Sequence, residues 1–123
     1  MVFNQSSAIK RAQKESVLMQ ELSKMLLQLS FDDNRLQGIF INRVKLSADK
    51  SVCTVFFYTP EGPEIFQDKL STLVLYKPSL RKALAAAVPS RYVPELVFKF
   101  DESFDKQQRL DAILEKIKDD GTH

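Results

Sequence analysis

The side chains in this sequence with the clearest chemical use are cations beside a break in a helical pattern. Lys77 precedes Pro78, and Arg81 and Lys82 follow within about one helical turn. Proline removes a backbone donor and clashes with the preceding turn, so a helix must end or bend there. The helix that resumes presents free amide groups and a partial positive charge. Cations beside such a helix start predict a site that binds phosphate groups.

Six further basic side chains occupy positions that a phosphate-rich partner could reach. Three lie within about one turn of each other on a leading helical segment. Two alternate on one face of a predicted strand, and one precedes the last strand. The alternative is a solvated surface for the three on the helix, an ion pair with an acid such as Glu95 for the two on the strand, and an ion pair with Asp101 or Glu95 for the last. The six residues are Lys10, Arg11, Lys14, Arg43, Lys45 and Arg91.

No arrangement typical of catalysis accompanies these cations. Catalysis requires a positioned acid, base or nucleophile, and the sole histidine is the terminal His123. Asp101, Glu102 and Asp105 form a carboxylate cluster without histidine or cysteine partners, which favours capping of the last helix over a transition-metal site. We therefore expect no enzymatic activity, no cofactor and no metal ion.

Length and composition indicate one modest globular domain. The chain has 123 residues, of which 44% are hydrophobic and 28% charged. No segment approaches the ~20 apolar residues that span a bilayer, and the first residues lack the layout of a secretory signal. The single cysteine, Cys53, fits a reducing compartment. We expect a cytoplasmic monomer without membrane association.

The charge distribution divides the chain. Residues 1–100 carry 14 basic and 9 acidic side chains, whereas residues 101–123 carry 4 basic and 7 acidic ones. The body is thus basic and the tail acidic. A basic body is compatible with a phosphate-rich partner, although it also serves solubility.

Apolar periodicity predicts the element order α-β-β-α-α-β-α. Ser6 or Ser7 is expected to cap the first helix. The helices are predicted over residues 6–29, 64–76, 79–88 and 105–118, and the strands over 39–47, 52–59 and 95–101.

The connections between strands predict a mixed three-stranded sheet. A short polar turn joins the first two strands as an antiparallel hairpin, and a helical crossover makes the third strand parallel to its neighbour. On the first strand, alternation places Phe40 and Val44 on one face, and Ile41, Arg43 and Lys45 on the other. With helices packed on one face, the fold class is α+β.

Aromatic side chains divide into predicted core and predicted surface. Tyr76 and Tyr92 stand beside breaks and near cations, so they are the better candidates for stacking with bases. The strand phenylalanines are expected in the core, and these are Phe56, Phe57, Phe98 and Phe100.

The element order with its broken helix pair resembles a KH domain of the bacterial type (type II). More closely, the chain resembles the ribosome-binding factor A family over nearly its whole length. Four segments carry the resemblance. The first three are the basic leading helix of residues 7–29, the loop Asp33-Asn34-Arg35-Leu36, and the hairpin from Val44 to Asp49 with its Val-x-x-Ser-x-Asp turn. The fourth is Leu80-Arg81-x-x-Leu84 followed by Arg91-x-Val93-Pro94-Glu95-Leu96-x-Phe98-x-x-Asp101.

Two departures from the resembled families concern the helix break. KH domains hold nucleic acid with a Gly-x-x-Gly loop, and none of the three glycines of this chain lies at the break. The factor A family is similar in using an Ala-x-Gly kink, for which this chain has Tyr76-Lys77-Pro78. Proline preserves a bend but does not permit the close backbone approach of glycine.

The resemblance implies a non-catalytic ribosome assembly factor. It implies binding to the immature small (30S) ribosomal subunit near the 5′-terminal region of its 16S rRNA, with help in late maturation and 5′-end processing. Other assembly factors, including GTPases, are further possible partners. The nine cations named above then become candidate RNA contacts.

The same interpretation divides the chain and leaves two other functions open. Residues 6–101 form the KH-like RNA-binding domain, residues 102–118 a C-terminal helix, and residues 119–123 a frayed tail. The alternatives are a generic single-strand RNA-binding module and a protein-interaction module.

Overall fold

A computed structural model describes residues 3–88 and 93–120, and the side chains of residues 8–88 and 93–119. The predicted element order is confirmed. A short 3₁₀ turn, Asn34–Leu36, connects the first helix to the sheet. The elements are α1 Phe3–Asp32, β1 Phe40–Leu46, β2 Val52–Tyr58, α2 Pro63–Leu75, α3 Lys77–Ala87, β3 Glu95–Phe100 and α4 Glu102–Asp120.

The helix ends differ from the prediction by one to three residues. Because α1 already begins at Phe3, Ser6 and Ser7 lie inside the helix and the predicted cap is wrong. Helix α4 continues to Asp120, two residues beyond the predicted end. Helix ends depend on local caps and packing, which periodicity does not report.

The sheet is mixed and three-stranded, with the order β1-β2-β3. Strands β1 and β2 are antiparallel, and β2 and β3 are parallel. Val55 on the central strand lies opposite Val44 on one side and Phe98 on the other. This confirms the α+β, KH-like architecture.

Strand β1 contains a β-bulge that changes which side chains reach the core. The pairing with β2 shifts between Ile41 and Arg43, so Asn42 is an extra residue. Ile41 is buried and Phe40 is 45% exposed. The predicted assignment of these two side chains is therefore wrong, because a bulge interrupts strict alternation.

The core lies between the helices and one face of the sheet. Phe57 and Phe98 belong to it as predicted, and Phe100 packs partly buried against it. Phe56 points to the opposite face and is only partly buried, so its predicted core position is wrong. The helices contribute Leu18, Leu22, Leu26, Phe66, Leu73, Leu80 and Leu84.

Helix α4 packs against the rest of the molecule near its first turn. Phe104 contacts Tyr58 edge to face, with 4.7 Å between ring centroids. Beyond that turn its apolar side chains are exposed by 49–61%, and these are Leu110, Ile113, Leu114 and Ile117. The apolar stripe of this helix therefore faces solvent.

Within residues 3–88 and 93–120, no helix combines the length and the apolar composition that crossing a bilayer requires.

Candidate nucleic-acid interface

A single residue, Tyr76, separates α2 from α3. Its amide donates to the Leu73 carbonyl at 3.0 Å, and its carbonyl accepts from the Leu80 amide at 2.9 Å. Pro78 is the second residue of α3, where the missing amide hydrogen costs no helical bond. The two helices therefore meet at a junction with defined hydrogen bonds on both sides.

The loop after α1 fixes this junction. The Tyr76 hydroxyl donates to Asp33 Oδ2 at 2.7 Å, and Arg35 donates to the same carboxylate through Nε at 2.9 Å and Nη2 at 2.6 Å. The side-chain bonds from Arg35 and then Tyr76 hold the pKa of Asp33 well below its usual range. The Tyr76 ring also packs against the core. Tyr76 is thus an anchor of the junction, and not the open stacking surface that its position in the sequence suggested.

Three cations surround the junction, and we call Lys77, Arg81 and Lys82 the junction cations. Lys77 Nζ lies 5.1 Å from the centroid of the Phe98 ring. Arg81 Nη2 donates to the Val93 carbonyl at 3.4 Å, and Lys82 is exposed.

Arg81 is weakly held by its neighbours. Its Nη1 lies 3.8 Å from Glu95 Oε2, and both side chains are substantially exposed, at 43% and 57%. Among the described residues no acceptor reaches its buried Nε. Exposed ion pairs contribute little to stability. The guanidinium therefore keeps most of its capacity to bind an external anion.

A groove between α1 and β1 gathers a second set of cations. It has a volume of about 600 Å³, and Arg11, Arg43 and Lys45 all line it. We call these three the groove cations. Glu15 also lines the groove, but its Oε2 accepts from the Leu46 amide at 2.7 Å, so it caps the edge of β1. With three basic side chains and one acidic side chain in its lining, the groove is net positive.

The remaining candidates lie around these two sets. Lys10 is exposed and Lys14 partly buried on α1, next to the groove. Arg91 and Tyr92 lie outside the described residues. The groove lies beside β1, whereas Arg81 on α3 contacts Val93 and Glu95 at the start of β3, on the other side of the central strand. One folded RNA surface could contact both sets.

Arg43 has a structural partner that sequence reasoning missed. Its Nε and Nη2 donate to the Asp101 carboxylate at 2.8 and 3.4 Å, and Asn42 Nδ2 donates to it at 2.9 Å. Asp101 also caps α4, as predicted, by accepting from the Phe104 amide at 3.2 Å. Burial alone would raise the pKa of Asp101, but the bonds from Arg43, Asn42 and Phe104 outweigh it and lower the pKa.

The acidic and thiol side chains of the described residues are arranged as follows. Within the part of the chain that the structure describes, no three residues of the His, Cys, Asp and Glu types converge on one point. Cys53 is buried, and desolvation, with a smaller effect of Glu15, raises its pKa to about 11. At neutral pH that thiol stays protonated and is a poor nucleophile.

Comparison with known proteins identifies the family. The model of the family described as "Ribosome-binding factor A" matches residues 10–114. The chain belongs to the ribosome-binding factor A family. Curated relatives named "Ribosome-binding factor A" support this. The protein of Citrifermentans bemidjiense is 31% identical over 115 residues, covering 92% of this chain and 97% of the relative. That of Geotalea uraniireducens is 33% identical over 111 residues, covering 88% of each.

Solved structures share the fold. The crystal structure of ribosome-binding factor A from Thermus thermophilus is similar with a TM-score of 0.64 and 30% identity, covering 73% of this chain and 93% of that one. A solution NMR structure of a Thermotoga maritima protein gives a TM-score of 0.67 at 29% identity, covering 75% of this chain and 87% of that one.

The segments that resemble ribosome-binding factor A have clear structural tasks in this member of the family. Asp33 and Arg35 form the loop that holds the junction, and Asp101 joins the strands to α4. Asp49 accepts from Ser47 and Ser51 in the hairpin turn, and the hydrogen bonds from Ser51 and Ser47 lower its pKa to about 2. These segments therefore preserve the scaffold on which the cations are placed.

One exposed cation was missed as a candidate. Lys99 lies opposite Phe56 on the sheet face that the helices leave open. The sequence signal for Lys99 was its position on a strand of alternating polar and apolar residues, beside an aromatic residue. The incorrect prediction of Phe56 as a core residue concealed that signal.

Proposed function

We propose that this protein binds the small ribosomal subunit and assists its maturation without catalysing a reaction. The observation that carries the proposal is the convergence of Arg11, Arg43 and Lys45 on one groove. Membership of the ribosome-binding factor A family and the names of its relatives support the ribosome as the partner. Phosphate contacts supply most of the sequence-independent affinity for RNA.

We further propose a specific step and setting for this function. The ligand is the immature 30S subunit in the cytoplasm, bound near the 5′-terminal region of its 16S rRNA. Late folding and 5′-end processing of that rRNA are the assisted events. The protein acts as a monomer, and other assembly factors, GTPases among them, are further partners.

The mechanism is selective binding of one RNA conformation. The groove cations lie on α1 and β1, and the junction cations lie on α3, where Arg81 contacts Glu95 at the start of β3, so the packing of these elements fixes their separation. An RNA conformer whose phosphates match that separation is bound more tightly than one whose phosphates do not. A ligand shifts a conformational equilibrium only through such differential affinity.

Sedimentation of cell extract tests the proposal. We expect the protein to travel with free small subunits and not with mature ribosomes. The variant Arg11→Ala/Lys45→Ala should shift it toward the top of the gradient, because two groove cations are removed. The control Lys116→Ala/Lys118→Ala removes the same charge from exposed positions on α4 and should sediment like the wild type. A wild-type protein found away from small subunits would contradict the proposal.

The exposed stripe of α4 supports protein interaction as a second candidate function. Four apolar side chains on one helix are half-exposed, which is unusual for a face without a partner. Salt-insensitive association with small subunits would favour this function, because apolar contacts release few counterions. Steep salt dependence would favour RNA.

A further inference from the structure

We propose that Arg43, stacked on Phe56, forms a platform for one unpaired RNA base on the open face of the sheet. The proposal rests on the proposed function in taking RNA as the ligand. It adds a binding site on the face opposite the helices. The guanidinium carbon of Arg43 lies 3.8 Å from the centroid of the Phe56 ring. At that distance the cation covers the aromatic face.

The buried Asp101 fixes the orientation of this guanidinium. It accepts two hydrogen bonds from Arg43 on one edge, and its own side chain is 1% exposed. Arg43 is 47% exposed. A planar cation that is held by one edge and supported by a ring below is pre-organised for a ligand on its open side.

The β-bulge in β1 makes this arrangement possible. Neighbouring residues on a regular strand point to opposite faces, yet Asn42 and Arg43 both bond to the same carboxylate. The extra residue re-aims the two side chains toward Asp101. The local departure from regular β-structure thus serves to place the guanidinium over Phe56.

Two further cations on this sheet face complement a phosphate backbone. Lys99 on β3 lies opposite Phe56, and Lys45 lies two residues beyond Arg43 on β1. Both are exposed. A base on the guanidinium would therefore have lysines on two sides to meet its flanking phosphates.

These features favour an unpaired nucleotide over duplex RNA. Arginine planes stack with unstacked bases, whereas bases within a helix are already covered by their neighbours. A duplex would present only phosphates to Lys45 and Lys99. Stacking on Arg43 thus predicts a preference for single-stranded RNA at this face.

The test compares binding of an eight-nucleotide single-stranded RNA with binding of a duplex of the same sequence, using the full chain. Arg43→Lys keeps the charge but removes the plane, and Phe56→Leu removes the ring below it. We expect each to weaken single-strand binding about fivefold or more, the lower range of stacking contributions, with a smaller effect on the duplex. Arg109→Lys is the matched control, since Arg109 is an exposed arginine paired with Asp105 on α4.

The outcomes separate this inference from the proposed function. Because Arg43→Lys also disturbs Asp101, affinities are corrected for the folded fraction from urea unfolding of each variant. Single-strand affinities of Arg43→Lys and Phe56→Leu equal to that of Arg109→Lys would overturn the platform. A wild type that binds purified small subunits but not the eight-nucleotide single-stranded RNA would also overturn the platform. In both cases the proposed function survives. A wild type that binds neither would overturn both.

Discussion

Two arginines, Arg43 on β1 and Arg81 on α3, show how differently one residue type can be used. Arg43 bonds to a carboxylate that is 1% exposed and 58 residues away in the chain. Among the residues that the structure describes, Arg81 has only a 3.4 Å bond to a carbonyl group and a 3.8 Å contact with an exposed glutamate. Arg43 is therefore part of the scaffold as well as the surface, whereas Arg81 is available mainly to an external anion.

The physical reason for the difference is the solvent exposure of the acid partner. A buried carboxylate without its cation carries a desolvation penalty that water no longer offsets. An exposed carboxylate such as Glu95 is solvated whether or not the arginine is present. Substitutions at the Arg43 site should thus change folding and binding together, and those at Arg81 should change binding alone.

The largest expected effect on folding is at Asp101. Asp101→Ala removes the partner of Arg43 and Asn42 and the cap of α4, so the free energy of unfolding should fall by roughly 2–4 kcal/mol. Urea unfolding measures this. The exposed neighbour Glu102 is the control, and Glu102→Ala should change stability by less than ~0.5 kcal/mol. Equal losses for the two variants would contradict the scaffold role of Asp101.

The pH dependence of stability should follow from the same carboxylate. Hydrogen bonds lower the pKa of Asp101 in the folded state. Its contribution is therefore complete above the unfolded pKa of ~3.9 and is lost as pH falls through the lower folded pKa. The stability difference between wild type and Asp101→Asn should be constant from pH 7 to about pH 5 and shrink in more acidic solution. A stability difference between wild type and Asp101→Asn that grows as the pH falls would contradict the predicted direction of this pH dependence.

A smaller effect is expected at the junction anchor. Tyr76→Phe removes the bond to Asp33 and leaves the ring in place, so the thermal midpoint should fall by less than it does for Asp101→Ala. Asp33→Ala combined with Tyr76→Phe completes a double-mutant cycle. Additive losses in that cycle would show that the loop does not hold the junction.

The smallest effect on folding is expected on α4. Ile113 is 56% exposed, so Ile113→Ser should change the free energy of unfolding by no more than ~0.5 kcal/mol. The buried Leu84 provides the contrast, and Leu84→Ser should destabilise the protein strongly because its side chain is 1% exposed. A large decrease in the free energy of unfolding of Ile113→Ser would indicate that α4 packs against the body in solution.

The parts of the fold that follow from local patterns were predictable. The stripe of Leu18, Leu22 and Leu26 marks α1, and the polar turn and the helical crossover specify the antiparallel and parallel pairs. These signals lie within one element or one connection. The order of elements and the mixed sheet could therefore be read from the sequence.

The geometry of the site depended on contacts that no local pattern carries. No glycine or proline marks the bulge at Asn42 in the sequence. Because of the bulge, Ile41 is buried and Phe40 is exposed, the reverse of the prediction. The Arg43–Asp101 pair joins segments far apart in the chain. Sequence reasoning could thus name the cations but not which of them the scaffold holds.

The most direct test of the account is the salt dependence of small-subunit binding by the wild type and by Arg81→Ala/Lys82→Ala. Removing one cation that binds a phosphate should lower the slope of log affinity against log salt by about one. We predict weaker binding, a slope smaller by about two, and urea unfolding like that of the wild type. Unchanged affinity and slope would contradict the claim that the junction cations bind RNA.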